Sequence, residues 1–358
     1  MRARALLAAT FLSLGAALSC CLLIAPSRDE FVGGTVPDLE AASPEAGVCP
    51  DASIYGLDHI GSAERLGRPV PGLIASLAVD DTWVFSADPL TGVGGRIEKA
   101  ADAGFTVASV PGALRVALTD QRVFWASADA ASAPIYSAQK SGRLMDAGAF
   151  VSSDGGGASS LAVSPSGDPV FWTASAANAI FRVSDGGVRG MSALGATAIA
   201  TDAREFFFAT SLDIRRRSIE WSGGDFVVVP LDARLGPSRI TWLTLDTQYV
   251  YFSVKSNPCA TDGAIYRAPR TGSAPSPSVL VERVATSEQF AKSEGGALYY
   301  ATGTELMKLA LDGSAAVALV SGLVGCDHGV ATDAAFVYFT CAESIDNKLQ
   351  TTLWRVRK

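Results

Sequence analysis

Apolar residues in this chain recur as one short phrase. It reads WVFSA at 83–87, RVFWA at 122–126, PVFWT at 169–173, EFFFA at 205–209, YVYFS at 249–253, ALYYA at 297–301 and FVYFT at 336–340. β-Branched and aromatic residues dominate each copy, which predicts the central strands of a pleated, stacked core. With Val84, Val123, Val170, Phe206, Val250, Leu298 and Val337 as anchors, successive copies lie 39, 47, 36, 44, 48 and 39 residues apart. The mean of about 42 is the length of a four-stranded propeller blade.

The flanks of each copy repeat too. A strand precedes the anchor, as in SLAVDD (76–81), RVALTD (115–120), AIATDA (198–203) and GVATDA (329–334). It ends four residues ahead of the anchor at Asp80, Thr119, Ser166, Asp202, Asp246, Glu294 or Asp333, and the Asp, Ser and Thr among these can bond the turn backbone. A third, alternating strand follows: RIEKA (96–100), IYSAQ (135–139), IFRVS (180–184), SIEWS (218–222), IYRAP (265–269), LMKLA (306–310) and LWRVR (353–357). Turn signals such as KSGR, SDGG and RTGS close most of them. Fourth strands are visible at 105–110, 225–231, 277–284 and 315–322. The last unit ends after its third strand, whereas AERLGRPVPG (63–72) stands where a fourth strand would precede the first unit. The expected fold is an all-β, seven-bladed β-propeller in which this N-terminal strand completes the last blade and removes the open edges.

The V-[YF]-[FW]-[ST] core preceded by Asp, followed by I-[YF]-R and a Gly turn, resembles the YWTD and NHL propeller repeats. Over residues 63–358 it looks closest to secreted bacterial propellers of that kind. The resemblance implies a fold and little about activity, since propellers host enzymes, receptors and scaffolds alike.

Outside the repeats, the N-terminus is the most informative stretch. Arg2 and Arg4 precede an apolar run from Ala5 to Ala25, which reads as an export signal. Ala17-Leu18-Ser19 followed by Cys20 and Cys21 resembles a bacterial lipoprotein signal, with Cys20 as the acylated residue. An uncleaved anchor with the arginines held inside, or soluble release, are the alternatives. The expected organisation is a signal or anchor at 1–25, a flexible Pro/Ala/Gly-rich tether at 26–60 and the propeller at 61–358. The protein is then an exported one of the bacterial cell envelope, touching the membrane only through its N-terminus. The chain has 358 residues and a formal charge of −7, a balance that argues against nucleic-acid binding.

Candidate chemistry is sparse. The resemblance implies that ligands meet the channel mouth, where the loops between second and third strands gather with the connectors between blades. Arg115, Arg239, Asp327 and His328 are the candidate ligand-binding residues there. A metal at His328 would need three or more ligands, and the other histidine, His59, precedes the propeller. No metal, cofactor or catalytic residue is assigned. Arg215-Arg216-Arg217 reads as the solvated edge of a loop. Cys326 and Cys341 flank the first two strands of blade seven, where hairpin pairing would bring them close enough for a disulfide. Cys49 and Cys259 would then pair or stay free, although the residue count alone allows three pairings. The expected function is a monomeric, non-enzymatic binding module or scaffold that presents its mouth to a protein, peptide or glycan. The alternative is a lyase or lactonase-type enzyme with its site at the same mouth.

Overall fold

A computed structural model describes residues 59–358, apart from short segments at 100–103, 130–133, 145–146, 152–156, 185–186, 232–238, 256–262, 272–276 and 285–288 and residues 294, 327 and 346–347. The expected signal, almost all of the tether, Cys20, Cys49, Cys259 and Asp327 lie outside the described residues. Among the described residues no helix is long and apolar enough to cross a membrane.

The strands form seven antiparallel sheets. Their inner strands are Ser76–Val79, Ala113–Leu118, Ser160–Val163, Ala198–Thr201, Arg239–Leu245, Ala291–Lys292 and Val330–Thr332. Each repeated phrase forms the second strand of its sheet. Successive side chains leave a strand on opposite faces, so a blade packed between two neighbours must be apolar at every position of its central strand. Val123 and Trp125 pack against Phe85 and Ala87 of blade one, while Phe124 between them packs against Val170 and Trp172 of blade three. The same alternation yields seven buried clusters, one between each pair of consecutive blades, including Leu77 and Val84 of blade one against Tyr338 and Leu353 of blade seven. The molecule is a seven-bladed β-propeller.

At the seam, Ala63–Arg65 and Val70–Pro71 both pair with Lys348–Arg357, the third strand of blade seven. Glu64 stands opposite Arg355 and Val70 opposite Thr351. Two fully buried threonines then hold the connector into blade one. The Thr351 hydroxyl donates to the Gly72 carbonyl at 2.7 Å and accepts the Ile74 N–H at 3.3 Å, and the Thr340 hydroxyl donates to the Ile74 carbonyl at 3.1 Å.

Several sequence expectations are corrected in detail. Blades two and three have outer strands, Gly148–Val151 and Gly187–Ser192, that the pattern did not reveal. Both are largely exposed, so no apolar alternation was required of them. In blade four the third strand is Asp213–Ser218 rather than 218–222, and the three arginines lie on it, not on a loop. Arg215 pairs with Asp213, Arg216 with Glu205 and Arg217 with Asp225, at 2.9, 2.8 and 3.1 Å. Their charge hid the strand, and local carboxylates neutralise it. In blade seven the second strand runs well past its repeated phrase, so that Phe336–Ile345 and Lys348–Arg357 form a long hairpin.

The Cys326–Cys341 disulfide is present. Its setting differs from the expectation, because Cys326 ends the outer strand of blade six, Val317–Cys326, while Cys341 lies in the second strand of blade seven. The bond therefore crosses the boundary between two blades.

Candidate functional site

In an up-and-down blade, second-to-third loops and blade-to-blade connectors share one face, and the inner strands start there. Paired positions near those starts line the channel in five of the blades: Ser76 opposite Ala87, Arg115 opposite Ala126, Ser160 opposite Thr173, Ala198 opposite Ala209 and Trp242 opposite Ser253. A bulge in blade five turns Thr241 out of register. Ser76, Arg115, Ser160, Thr241 and Gln289 line a channel cavity of about 100 Å³.

The channel is drawn closed by short polar side chains and a glycine. Gln289 donates from Nε2 to the Leu77 carbonyl at 2.7 Å and accepts the Leu77 N–H on Oε1 at 2.9 Å. Its amide thus pairs like a strand residue, joining blade six to blade one across the inner edge of blade seven. Ser76 Oγ accepts the Val116 N–H at 3.3 Å, linking blades one and two. At Gly329 a Cβ would sit 2.9 Å from Leu77 Cγ and 3.3 Å from the Leu77 nitrogen, so only glycine lets blade seven approach blade one this closely.

The sequence candidates are only partly gathered by the fold. Arg115 lines the cavity. Arg239 begins the inner strand of blade five, two residues before Thr241. His328 is half-buried in the connector between Cys326 and Gly329 and is not among the cavity-lining residues. Asp327 lies outside the described residues. Gln289 was missed. It is a single polar residue ahead of a two-residue strand, Ala291–Lys292, and its role depends on a partner 212 residues away. Among the described residues, no three His, Cys, Asp or Glu side chains gather as metal ligands would.

The repeated acidic positions lie on the opposite face and are structural. Asp80 Oδ1 accepts the N–H groups of Thr82 and Trp83 at 2.9 and 2.8 Å, and Asp202, Asp246 and Asp333 repeat the motif. Thr119 performs it with a hydroxyl. In blade three Pro169 has no N–H to offer, and Ser166 instead donates to the Asp168 carbonyl at 2.7 Å. Glu294 lies outside the described residues, and the neighbouring Ser293 Oγ takes the Ala297 N–H.

In Asp80, Asp202 and Asp333 the second oxygen reaches the next blade, whereas that of Asp246 accepts from Tyr251 in its own blade. Asp80 pairs with Lys140 at 2.8 Å, Asp202 with Arg270, and Asp333 with Lys99 at 2.5 Å, the last spanning the seam from blade seven to blade one. The arginine of the third-strand phrase completes the clamps at Lys140 and Lys99. Arg96 donates to the Lys140 carbonyl, and Arg355 to the Lys99 carbonyl at 2.7 Å. The lysine is thus held at both ends by the preceding blade. Burial alone would raise the Asp333 carboxyl, but hydrogen bonds from Lys99, Phe336 N–H, Tyr338 and Ala335 N–H outweigh it and hold its pKa at about 2. Asp80, Asp202 and Asp246 are lowered in the same way. The Tyr338 hydroxyl, buried and donating to Asp333 at 2.8 Å, is pushed up.

Neither protein-family models nor curated proteins match the sequence. Solved structures do. One is a streptogramin B lyase, 11% identical, with a TM-score of 0.60 over 81% of this chain and 96% of that one. Another is the extracellular domain of BT4673 from B. thetaiotaomicron, 10% identical, with a TM-score of 0.56 over 81% of this chain and 40% of that one. The N-terminal domain of Nup159 is 11% identical, with a TM-score of 0.51 over 84% of this chain and 98% of that one. The likeness is one of fold.

Proposed function

We propose that this protein is an exported, envelope-tethered, non-enzymatic propeller of the YWTD/NHL-like kind. It presents its channel-mouth face to a partner, and a protein or peptide fits that face better than a glycan or an enclosed small molecule. The observation that carries this reading is the size of the channel cavity. At about 100 Å³ it falls below the roughly 300–1,000 Å³ of sites that engulf small ligands. The surrounding loops supply apolar contacts instead. Leu90, Leu194 and Leu212 are 44, 66 and 65% exposed, each in a loop or connector of the mouth face. The last two are neighbours, since Gly195 abuts Ser211. Arg115, Arg239 and His328, which stand at inner-strand starts and a connector of that face, are assigned to the rim of this contact, together with Asp327, which lies outside the described residues. The likeness to an extracellular bacterial domain supports the envelope setting.

The test compares envelope proteins retained by the wild type, by Leu194→Asp/Leu212→Asp and by Phe226→Asp. Phe226 is also exposed, but it lies on the outer strand of blade four. A partner kept by the first and third and lost by the second is the expected result. A partner lost only with Phe226→Asp would move the contact to the blade edge, and turnover of a substrate at the mouth would replace the reading with the lyase or lactonase one. The tether is tested separately. Labelled palmitate is expected to enter the wild type and not Cys20→Ala, whereas equal labelling would exclude Cys20 as the lipidated residue.

A further inference from the structure

We propose that the face opposite the channel mouth holds a second site, which binds an anionic sugar. Blades six, seven and one enclose there a cleft of about 740 Å³, within the range of small-molecule sites. It opens at the far ends of three inner strands, where Lys292, Thr332 and Asp80 stand. Three of the chain's seven lysines, Lys292, Lys308 and Lys358, line it, although the protein as a whole is acidic.

These lysines are not equivalent. Lys358 is tied down, its ammonium donating to the Asp333 carbonyl and lying 5.5 Å from the centre of the Tyr299 ring. Lys292 and Lys308 form no hydrogen bond or ion pair with a described residue. The hydrogen-bonding oxygens of the nearby carboxylates are taken by other groups: Asp333 by Lys99 and Tyr338, Asp80 by Lys140, and Asp246 by Tyr251, so that Lys292 acts on Asp246 only through its charge. Both free lysines stand on strands of blade six, Lys308 opposite Tyr299 and Lys292 opposite Leu298. The backbone ladder therefore fixes their bases, and two ammonium groups with no hydrogen-bonded carboxylate share one concave surface. Lysine serves phosphate and carboxylate as a point charge.

The opposite wall has the reverse chemistry. Asp81 is exposed on blade one and makes no hydrogen bond with a described residue, so its oxygens can accept hydroxyl protons. Cations on one side and an unused carboxylate on the other match a ligand that carries an acid group and several hydroxyls. A sugar acid or a sugar phosphate has that chemistry; an inorganic anion has only half of it.

Calorimetry at low salt with glucuronate, glucose 6-phosphate, glucose and inorganic phosphate tests this. At least one anionic sugar is expected to bind about tenfold or more tighter than glucose and than phosphate, and stronger binding by one or the other tells a uronic acid from a phosphorylated sugar. Lys292→Gln/Lys308→Gln, with an unchanged melting temperature, is expected to weaken binding about tenfold. Acetylation of the wild type gives a readout that does not depend on the variant folding. The binding sugar should protect Lys292 and Lys308 but not the exposed Lys348. Absence of binding by both sugars, phosphate binding as tightly as either, or binding without protection of these lysines overturns the proposal.

Discussion

Replacing Asp333 by alanine is expected to destabilise the protein by about 3 kcal/mol, a typical cost of breaking a buried pair from one side. The Asp333 and Lys99 side chains are only 16 and 12% exposed. The substitution leaves the Lys99 ammonium and the Tyr338 hydroxyl without their acceptor and uncaps the N–H groups of Ala335 and Phe336. Asp246→Ala is the informative comparison. It removes the same turn cap and a tyrosine contact, yet the Asp246 carboxylate accepts no hydrogen bond from a cation among the described residues, Arg270 reaching only its main-chain carbonyl. Its expected cost is about 1–2 kcal/mol. Equal losses in denaturant titrations of the two variants would show that the lysine across the seam contributes nothing.

The same group makes stability depend on pH. The Asp333 pKa is lowered from 3.8 to about 2 in the folded protein. Its contribution is therefore complete above about pH 4 and disappears as the pH falls towards 2. Asp80, Asp202 and Asp246 act in the same direction. Acid unfolding of the wild type is expected to be steep between these values and shallower in Asp333→Ala, and matching slopes would contradict the assignment.

Removing the disulfide, by reduction or by Cys326→Ala/Cys341→Ala, is expected to cost about 3 kcal/mol, the chain-entropy value for a loop of 15 residues. In a domain of this size that corresponds to a fall in Tm of roughly 2–4 °C for each kcal/mol. The bond ties blade six to blade seven, next to the connector that carries His328. Hydrogen exchange should therefore rise first around residues 317–326 and the neighbouring strand of blade seven. An unchanged Tm together with exchange spread evenly over all blades would argue against a local clamp.

Most of the architecture was legible because it rests on period and alternation. A central strand buried on both faces must be apolar throughout, so the seven phrases stand out, and Trp125, Trp172 and Phe252 are fully buried as core. The Asp turns were legible because an Asx turn is a local contact, two to three residues long. Outer strands fared worse, for exposure relaxes the pattern, and the arginines of blade four concealed a strand behind their charge.

The site was much less legible. Arg115 lines the channel as its place at the start of an inner strand implied. Gln289, Gly329 and the two free lysines carry no local signature. Gln289 acts on Leu77, and Gly329 is needed because of Leu77. Lys292 and Lys308 matter only because the aspartates near them have found other partners.

The sequence by itself determined the blade count, the identity of the buried strands and the segment that stands ready to close the ring, because each follows from hydrophobic period and local turn chemistry. Tertiary structure alone decided how the ring is locked, that the channel is narrow, and which lysines remain without a hydrogen-bonded carboxylate. Those features depend on contacts between residues more than 200 positions apart, such as Leu77 with Gln289 and Lys99 with Asp333, and a pattern read along the chain has no term for them.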